Sequence, residues 1–190
     1  MPNQHVDGAA PTNPHLALIE KLKKIGIKIP AAMFTAAQYA GLPLALAAST
    51  LMQESGGGTN EWGHDPTLFI GGFDKKHNHA FGEIVTEPAY KEYLLQRGTR
   101  GQGGMQGVGP CQLTYFSFQD EADRLGGCWK PLANMKVGFS DMAHLIRKDG
   151  LHAGVMGYNG SGPAAERYAD TVLARAQEFA GKLGLPWPPH

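Results

Sequence analysis

Leu44-Ala45-Leu46-Ala47-Ala48-Ser49-Thr50-Leu51-Met52-Gln53 is an uncharged, Ala-rich run that leads into Glu54 and then Ser55-Gly56-Gly57-Gly58. A helix that is apolar on most sides is buried on most sides, so the rest of the chain is expected to form a bundle around it. The glycines predict an abrupt stop, because Gly tolerates the left-handed conformation that ends helices. Glu54 then falls in the last turn of a buried helix. The helix dipole puts negative potential there, and burial disfavours the charged form. Both effects raise the pKa. A carboxylic acid that keeps its proton near neutral pH is what a glycosidase needs to protonate a departing sugar oxygen. The bland alternative is a helix-terminal glutamate pointing into water.

Three further segments bear on the choice. In Gly107-Val108-Gly109-Pro110-Cys111-Gln112-Leu113-Thr114 two glycines and a proline force an extended or turning backbone. In a strand, Gln112 and Thr114 would point to the same side. An amide beside a hydroxyl suits the hydroxyl and N-acetyl groups of a sugar. Gly157-Tyr158-Asn159-Gly160-Ser161-Gly162-Pro163 joins two expected helices, and Trp62-Gly63-His64-Asp65 closely follows Glu54.

Together these segments resemble the lysozyme superfamily. Glu54-Ser55-Gly56 is similar to the catalytic segment of goose-type lysozymes and Slt-type lytic transglycosylases. Gly107 to Thr114 resembles their Gly-Leu-Met-Gln strand, and equally the Gly-Arg-Gly-Pro-Ile-Gln-Leu-Thr segment of family 19 chitinases. Tyr158-Asn159-Gly160, followed by Tyr168-Ala169, resembles the Tyr-Asn-Ala-Gly element and final helix of the transglycosylases. Across about Pro30 to Ala180 the order of motifs is most similar to the muramidase-like domain of actinobacteriophage endolysins. The resemblance implies a mostly α, lysozyme-like α+β fold with a small irregular or β lobe forming a cleft. It also implies cleavage of the β-1,4 bond between N-acetylmuramic acid and N-acetylglucosamine in peptidoglycan. The alternatives are a lytic transglycosylase giving 1,6-anhydro products, a chitinase-like enzyme, and a non-catalytic wall-binding or phage structural module.

Composition agrees with an enzyme of this kind. Seventeen basic and seventeen acidic residues give zero formal charge, so nucleic-acid binding has no support from charge. A strongly basic secreted antimicrobial lysozyme is not indicated either. No run of eighteen apolar residues predicts a membrane span, and the N-terminus has no charged segment followed by an apolar one. The expectation is synthesis in a host cytoplasm and action on the cell wall, as a monomer with peptidoglycan as its only partner. Cys111 and Cys128 read either as one disulfide or as two small buried thiols.

Residues 1–13 read as a loose arm, 14–182 as one catalytic domain and 183–190 as a tail. Pro14 is placed in the first turn of a helix with Leu18, Leu22 and Ile25 on one stripe and Lys21, Lys23, Lys24 and Lys28 on the other face. Pro30 opens a helix that ends at Gly41. Residues 55–110 hold half of the 26 glycines and are expected to form the cleft lobe, interrupted by a short helix that Thr86 caps and that turns Tyr90, Tyr93 and Leu94 inward. Beyond Thr114 the pattern is helical. Phe118, Ala122 and Leu125 share a face, as do Met135, Phe139, Met142 and Ile146. The last helix carries Ala165, Tyr168, Val172, Leu173, Ala176 and Phe179.

Glu54 is therefore assigned as general acid. An inverting hydrolase also needs a base about 6.5–9.5 Å away. Asp65, in a segment similar to the Trp-Gly-Asp of goose-type lysozymes, is the first choice, Asp74 the second and Glu83 a third. Lytic transglycosylases work without this base. Gln112, Thr114, Tyr158, Asn159 and Trp62 are the expected substrate contacts, with Tyr158 able to hydrogen-bond the acid. Trp62 has the competing reading of a small satellite core. His64, His77 and His79 read as loop histidines. No metal or cofactor is expected, since HExxH, paired CxxC motifs and a phosphate-cradling glycine loop are all missing from the sequence.

Overall fold

A computed structural model of the chain describes residues 13–63, 84–100 and 106–188. These residues hold eight helices: α1 (Pro14–Lys24), α2 (Pro30–Ala40), α3 (Leu44–Ser55), α4 (Glu87–Arg100), α5 (Phe116–Arg124), α6 (Pro131–Asp149), α7 (Leu151–Asn159) and α8 (Pro163–Leu183). The protein is mostly helical. Proline stands in the first turn of α1, α2, α6 and α8, where its missing N–H is not needed and its fixed φ favours the helix. Among the described residues no helix is long and apolar enough to cross a membrane.

The Ala-rich run becomes the buried axis. Leu46, Ala47, Ala48, Ser49, Thr50 and Leu51 of α3 are inaccessible to solvent. Gly56 ends the helix at φ 60°, ψ 38°, in the left-handed region as expected. One face of α3 lies on α8, where small residues on both sides (Ala45 and Ala48, Ala169 and Ala176) allow close approach. Two polar contacts fix the register. The Ser49 hydroxyl donates to the Val172 carbonyl at 2.7 Å, and Arg175 donates to the Ser49 carbonyl and to Gln53. Helix α6 packs against α2, α5 and α7. It sends Met135, Phe139 and Met142 into the core at zero exposure, each such side chain contributing roughly 1.5–3 kcal/mol.

Local expectations hold in α4, where the Ala89 N–H reaches the Thr86 hydroxyl at 3.4 Å and Tyr90 and Tyr93 are buried. Two others are corrected. Leu125 is 43% exposed, because α5 stops at Arg124 and Leu125 leaves the helical register. The buried residues of α5 are Ala122, as expected, and the amide of Gln119. Lys21 does not simply face water, since its ammonium donates to the Leu183 carbonyl at 2.8 Å and satisfies an open acceptor at the end of α8.

The expected β lobe reduces, among the described residues, to two single bridges, Trp62 with Val108 and Val108 with Leu113. His64, Asp65, Phe69, Phe73, Asp74, His77, His79, Phe81 and Glu83 lie outside the described residues. What holds the remaining loop segments is a pair of buried amides. Gln119 donates to the carbonyls of Gln106 (2.9 Å) and Leu113 (2.8 Å) and accepts from the Tyr93 hydroxyl and the Arg97 guanidinium. Asn134, at the start of α6, accepts from the Cys111 N–H at 2.9 Å and donates to the Val108 carbonyl at 2.8 Å.

Truncating Asn134 leaves the buried Cys111 N–H without its acceptor and removes one of the two hydrogen bonds to the Val108 carbonyl. Asn134→Ala is expected to lower the unfolding free energy by at least about 2 kcal/mol, measured by urea denaturation. A change below about 0.5 kcal/mol, the level of an ordinary surface substitution, would contradict the role given to this side chain.

Candidate active site

The end of α3 brings Glu54 to the wall of a cavity of about 510 Å³, within the size range of small-ligand sites. Ser55, the next residue, is buried and turns inward: its hydroxyl donates to the Leu51 carbonyl and accepts the Gly58 N–H. It thereby fastens the last turn and holds the backbone that carries Glu54. From α8, Tyr168 donates its hydroxyl to Glu54 Oε1. The Glu54 side chain is half-buried. Burial raises its pKa from 4.5 to about 7, against the opposing effect of the Tyr168 hydrogen bond. The helix C-terminus acts in the same direction as burial. Glu54 thus stands half-buried at the end of α3 with its pKa pushed upward, the direction expected from the sequence.

The opposite part of the wall is a tight turn, and here the expected strand is corrected. The Gln112 N–H returns to the Gly109 carbonyl at 3.0 Å, flanked by paired hydrogen bonds between Val108 and Leu113. Gln112 has φ 50°, a left-handed conformation that a strand does not contain. Thr114 follows with its hydroxyl donated to the Gln112 carbonyl at 3.1 Å. Gly109-Pro110 drives the turn, so alternation along a strand is not what aligns Gln112 with Thr114. The turn itself places both on the cavity wall beside Glu54.

Tyr158 and Asn159, at the end of α7, line the same cavity. The Tyr158 hydroxyl, however, does not reach Glu54. It donates to the Cys111 carbonyl at 3.0 Å and so ties α7 to the turn. A close approach on α6 permits this: a Cβ on Gly138 would stand 2.6 Å from Cys111 Cβ and 3.0 Å from the Tyr158 hydroxyl. The partner of the acid is Tyr168, which was placed only on an apolar stripe. Its neighbours on that stripe are Ala165, Ala169 and Val172, and a buried tyrosine among small residues must send its hydroxyl to an acceptor. That was the available signal.

Trp62 is also corrected. It is 1% exposed and meets the Tyr93 ring edge-on at 5.9 Å, so it belongs to the core and presents no face for a sugar. Cys111 and Cys128 are both free and buried. Burial pushes the Cys128 thiol up to about 12 and the Cys111 thiol well above its ordinary value, so both carry their protons. Glu61 is a further buried acid that the sequence reading did not single out. It accepts the Val85 N–H at 3.0 Å, and its own carbonyl accepts the Gly109 N–H at 2.7 Å, which makes it a brace between loop segments. Asp65 and Asp74 fall outside the described residues, and no cluster of three or more metal-ligating side chains occurs among those described.

No protein-family model matches the chain, and no curated protein and no solved structure is significantly similar to it.

Glu54 binds its proton more tightly folded than unfolded, so the folded state is favoured at low pH and loses that advantage as pH rises from about 4.5 to about 7. Glu54→Gln removes the titration and keeps an oxygen for Tyr168. The stability of the variant relative to wild type is expected to rise by about 3 kcal/mol between pH 4 and pH 8. Parallel stability curves over that range would place the carboxyl group in water.

Proposed function

We propose that the protein is a glycosidase of the lysozyme type that cleaves the β-1,4 bond between N-acetylmuramic acid and N-acetylglucosamine in peptidoglycan, acting as a wall-lytic enzyme of the endolysin kind. The observation that carries the reading is Glu54, a carboxylic acid with a pKa of about 7 on the wall of a cavity large enough for a sugar. An acid of this kind is half protonated at neutral pH and can give its proton to the glycosidic oxygen as the bond breaks. Gln112, Thr114 and Asn159 supply amide and hydroxyl groups on the same wall, as recognition of N-acetyl and hydroxyl groups requires. The Phe118 and Tyr115 side chains add apolar surface there. The resemblance of Glu54-Ser55-Gly56 and Tyr158-Asn159-Gly160 to the goose-type lysozymes and Slt-type transglycosylases supports the choice of peptidoglycan over chitin. With Gly107–Thr114, it also supports a lysozyme-like arrangement of α3, the turn and the last two helices.

The general-acid role sets the pH dependence. Bond cleavage needs the protonated carboxyl, so the rate falls as pH rises through about 7. The Tyr168 hydrogen bond favours the ionised carboxylate and so lowers the pKa. Tyr168→Phe is expected to move the alkaline limb of the pH–rate profile to higher pH. A limb that stays in place, or moves down, would mean that Glu54 is not the titrating acid.

Glu54→Gln is expected to reduce lysis of bacterial cell walls by about a thousandfold, within the usual span for general-acid catalysis, while sedimentation with walls persists. Turbidity loss with peptidoglycan, compared with release from chitin, checks both the residue and the substrate. A variant retaining a tenth of wild-type activity would exclude Glu54 as the acid.

A further inference from the structure

Glu54 shares its cavity with a second carboxyl group. Asp141 lines the same wall from α6, and Leu145, one turn further along that helix, lines it too. The face of α6 that meets the cavity is therefore the one carrying Asp141. The side chain is only partly exposed. The groups around it come from several elements: His144 on its own helix, Glu121 on α5, the Tyr158 hydroxyl on α7 and Glu54 on α3. Burial and Glu121 push the Asp141 carboxyl above its ordinary pKa, and His144 pulls the other way.

Among the described residues no hydrogen bond or salt bridge engages this carboxyl. Structural acids in this protein look different. Glu61 holds the Val85 N–H, Asp123 holds the Tyr90 hydroxyl and the Cys128 N–H, and Asp120 pairs with Arg97. Asp141 has no such structural engagement, and it faces the space that the Glu54 acid serves.

We propose that Asp141 is the second carboxylate of the cleft, holding a water for attack on the anomeric carbon. The proposal rests on the glycosidase reading. In the step, the water oxygen forms a bond to C1 and gives a proton to the Asp141 carboxylate. The bond from C1 to the bridging oxygen breaks, and that oxygen takes the Glu54 proton. One water is consumed, two hydroxyl groups result, and the anomeric configuration inverts. Glu54 and Asp141 reach the cavity from different helices. A transglycosylase needs no such carboxylate, so the assignment selects hydrolysis.

The test uses the full chain on purified peptidoglycan, with Asp141→Asn and Asp141→Ala compared with wild type and with Asp65→Asn and Asp74→Asn. Thermal melting identifies the Asp141 variants that keep the wild-type fold. Wild type is expected to release products with reducing ends. Asp141→Asn is expected to lose at least about a hundredfold in kcat with KM little changed, a larger loss than Asp65→Asn or Asp74→Asn causes. Sodium azide should restore turnover to the Asp141→Ala variant, because the small anion can occupy the vacated space and attack C1, and the product should then be a glycosyl azide of inverted configuration. Asp141→Asn within tenfold of wild type, a loss that azide does not restore, or 1,6-anhydro products from wild type would each overturn the assignment while leaving a wall-cleaving enzyme in place. A wild-type protein inert on peptidoglycan would overturn the glycosidase reading itself.

Discussion

The desolvation of one carboxyl group organises this protein's chemistry. Glu54 sits where α3 ends, with α8 against one side and the turn around Gly109-Pro110 near the other. Isolated in water the group would ionise well below neutral pH. Held beside Tyr168 and Tyr158, half-buried and at the negative end of a helix, it retains its proton up to about pH 7. The apolar character of α3 is thus more than core packing. It fixes the depth at which the acid lies, and Gly56 ends the helix before that acid can be carried further inside.

The precision of the site comes from polar groups that never touch the cavity. Asn134 and Gln119 are wholly buried, and each satisfies backbone atoms of the loop that supplies Gln112 and Thr114. Such loops carry many backbone donors and acceptors that no regular sheet pairs here, so side-chain amides take over that task. Tyr158 adds a third tie through the Cys111 carbonyl. Loss of either amide would remove hydrogen bonds from the backbone that carries Gln112 and Thr114.

Much of the helical framework was legible in the sequence because its signals are local. Pro30, the glycines at Gly41 and Gly56, and apolar spacing of three and four marked the bounds of α2, the end of α3 and the core-facing stripes of α6 and α8. Glu54 was legible for the same reason, as a charge placed at the end of an apolar helix. What was missed depends on contacts distant in sequence. Tyr168 lies 114 positions from Glu54, and its place among small residues signals that its hydroxyl needs an acceptor but not which one. Asp141 carries no local signal, and only the packing of α6 with α5 and α7 brings it to the cavity. Gln112 and Thr114 were named for a strand geometry that the chain does not adopt, and of the extended or turning backbone expected at Gly109-Pro110 the chain takes the turn. Trp62 was ambiguous on sequence grounds because an indole suits a sugar face and a core equally, and only Tyr93 packed against it decides between them.

The central claim is that Glu54 is a half-buried acid protonated near neutrality, and its pKa can be read directly. Selective ¹³C labelling of glutamate side chains gives the Glu54 carboxyl resonance, identified by its absence from Glu54→Gln, and titration follows it from pH 3 to pH 9. The account predicts a midpoint near 7. A midpoint near the ordinary glutamate value of 4.5 would contradict it, because a carboxylate ionised at that pH has no proton to give a leaving sugar at neutral pH.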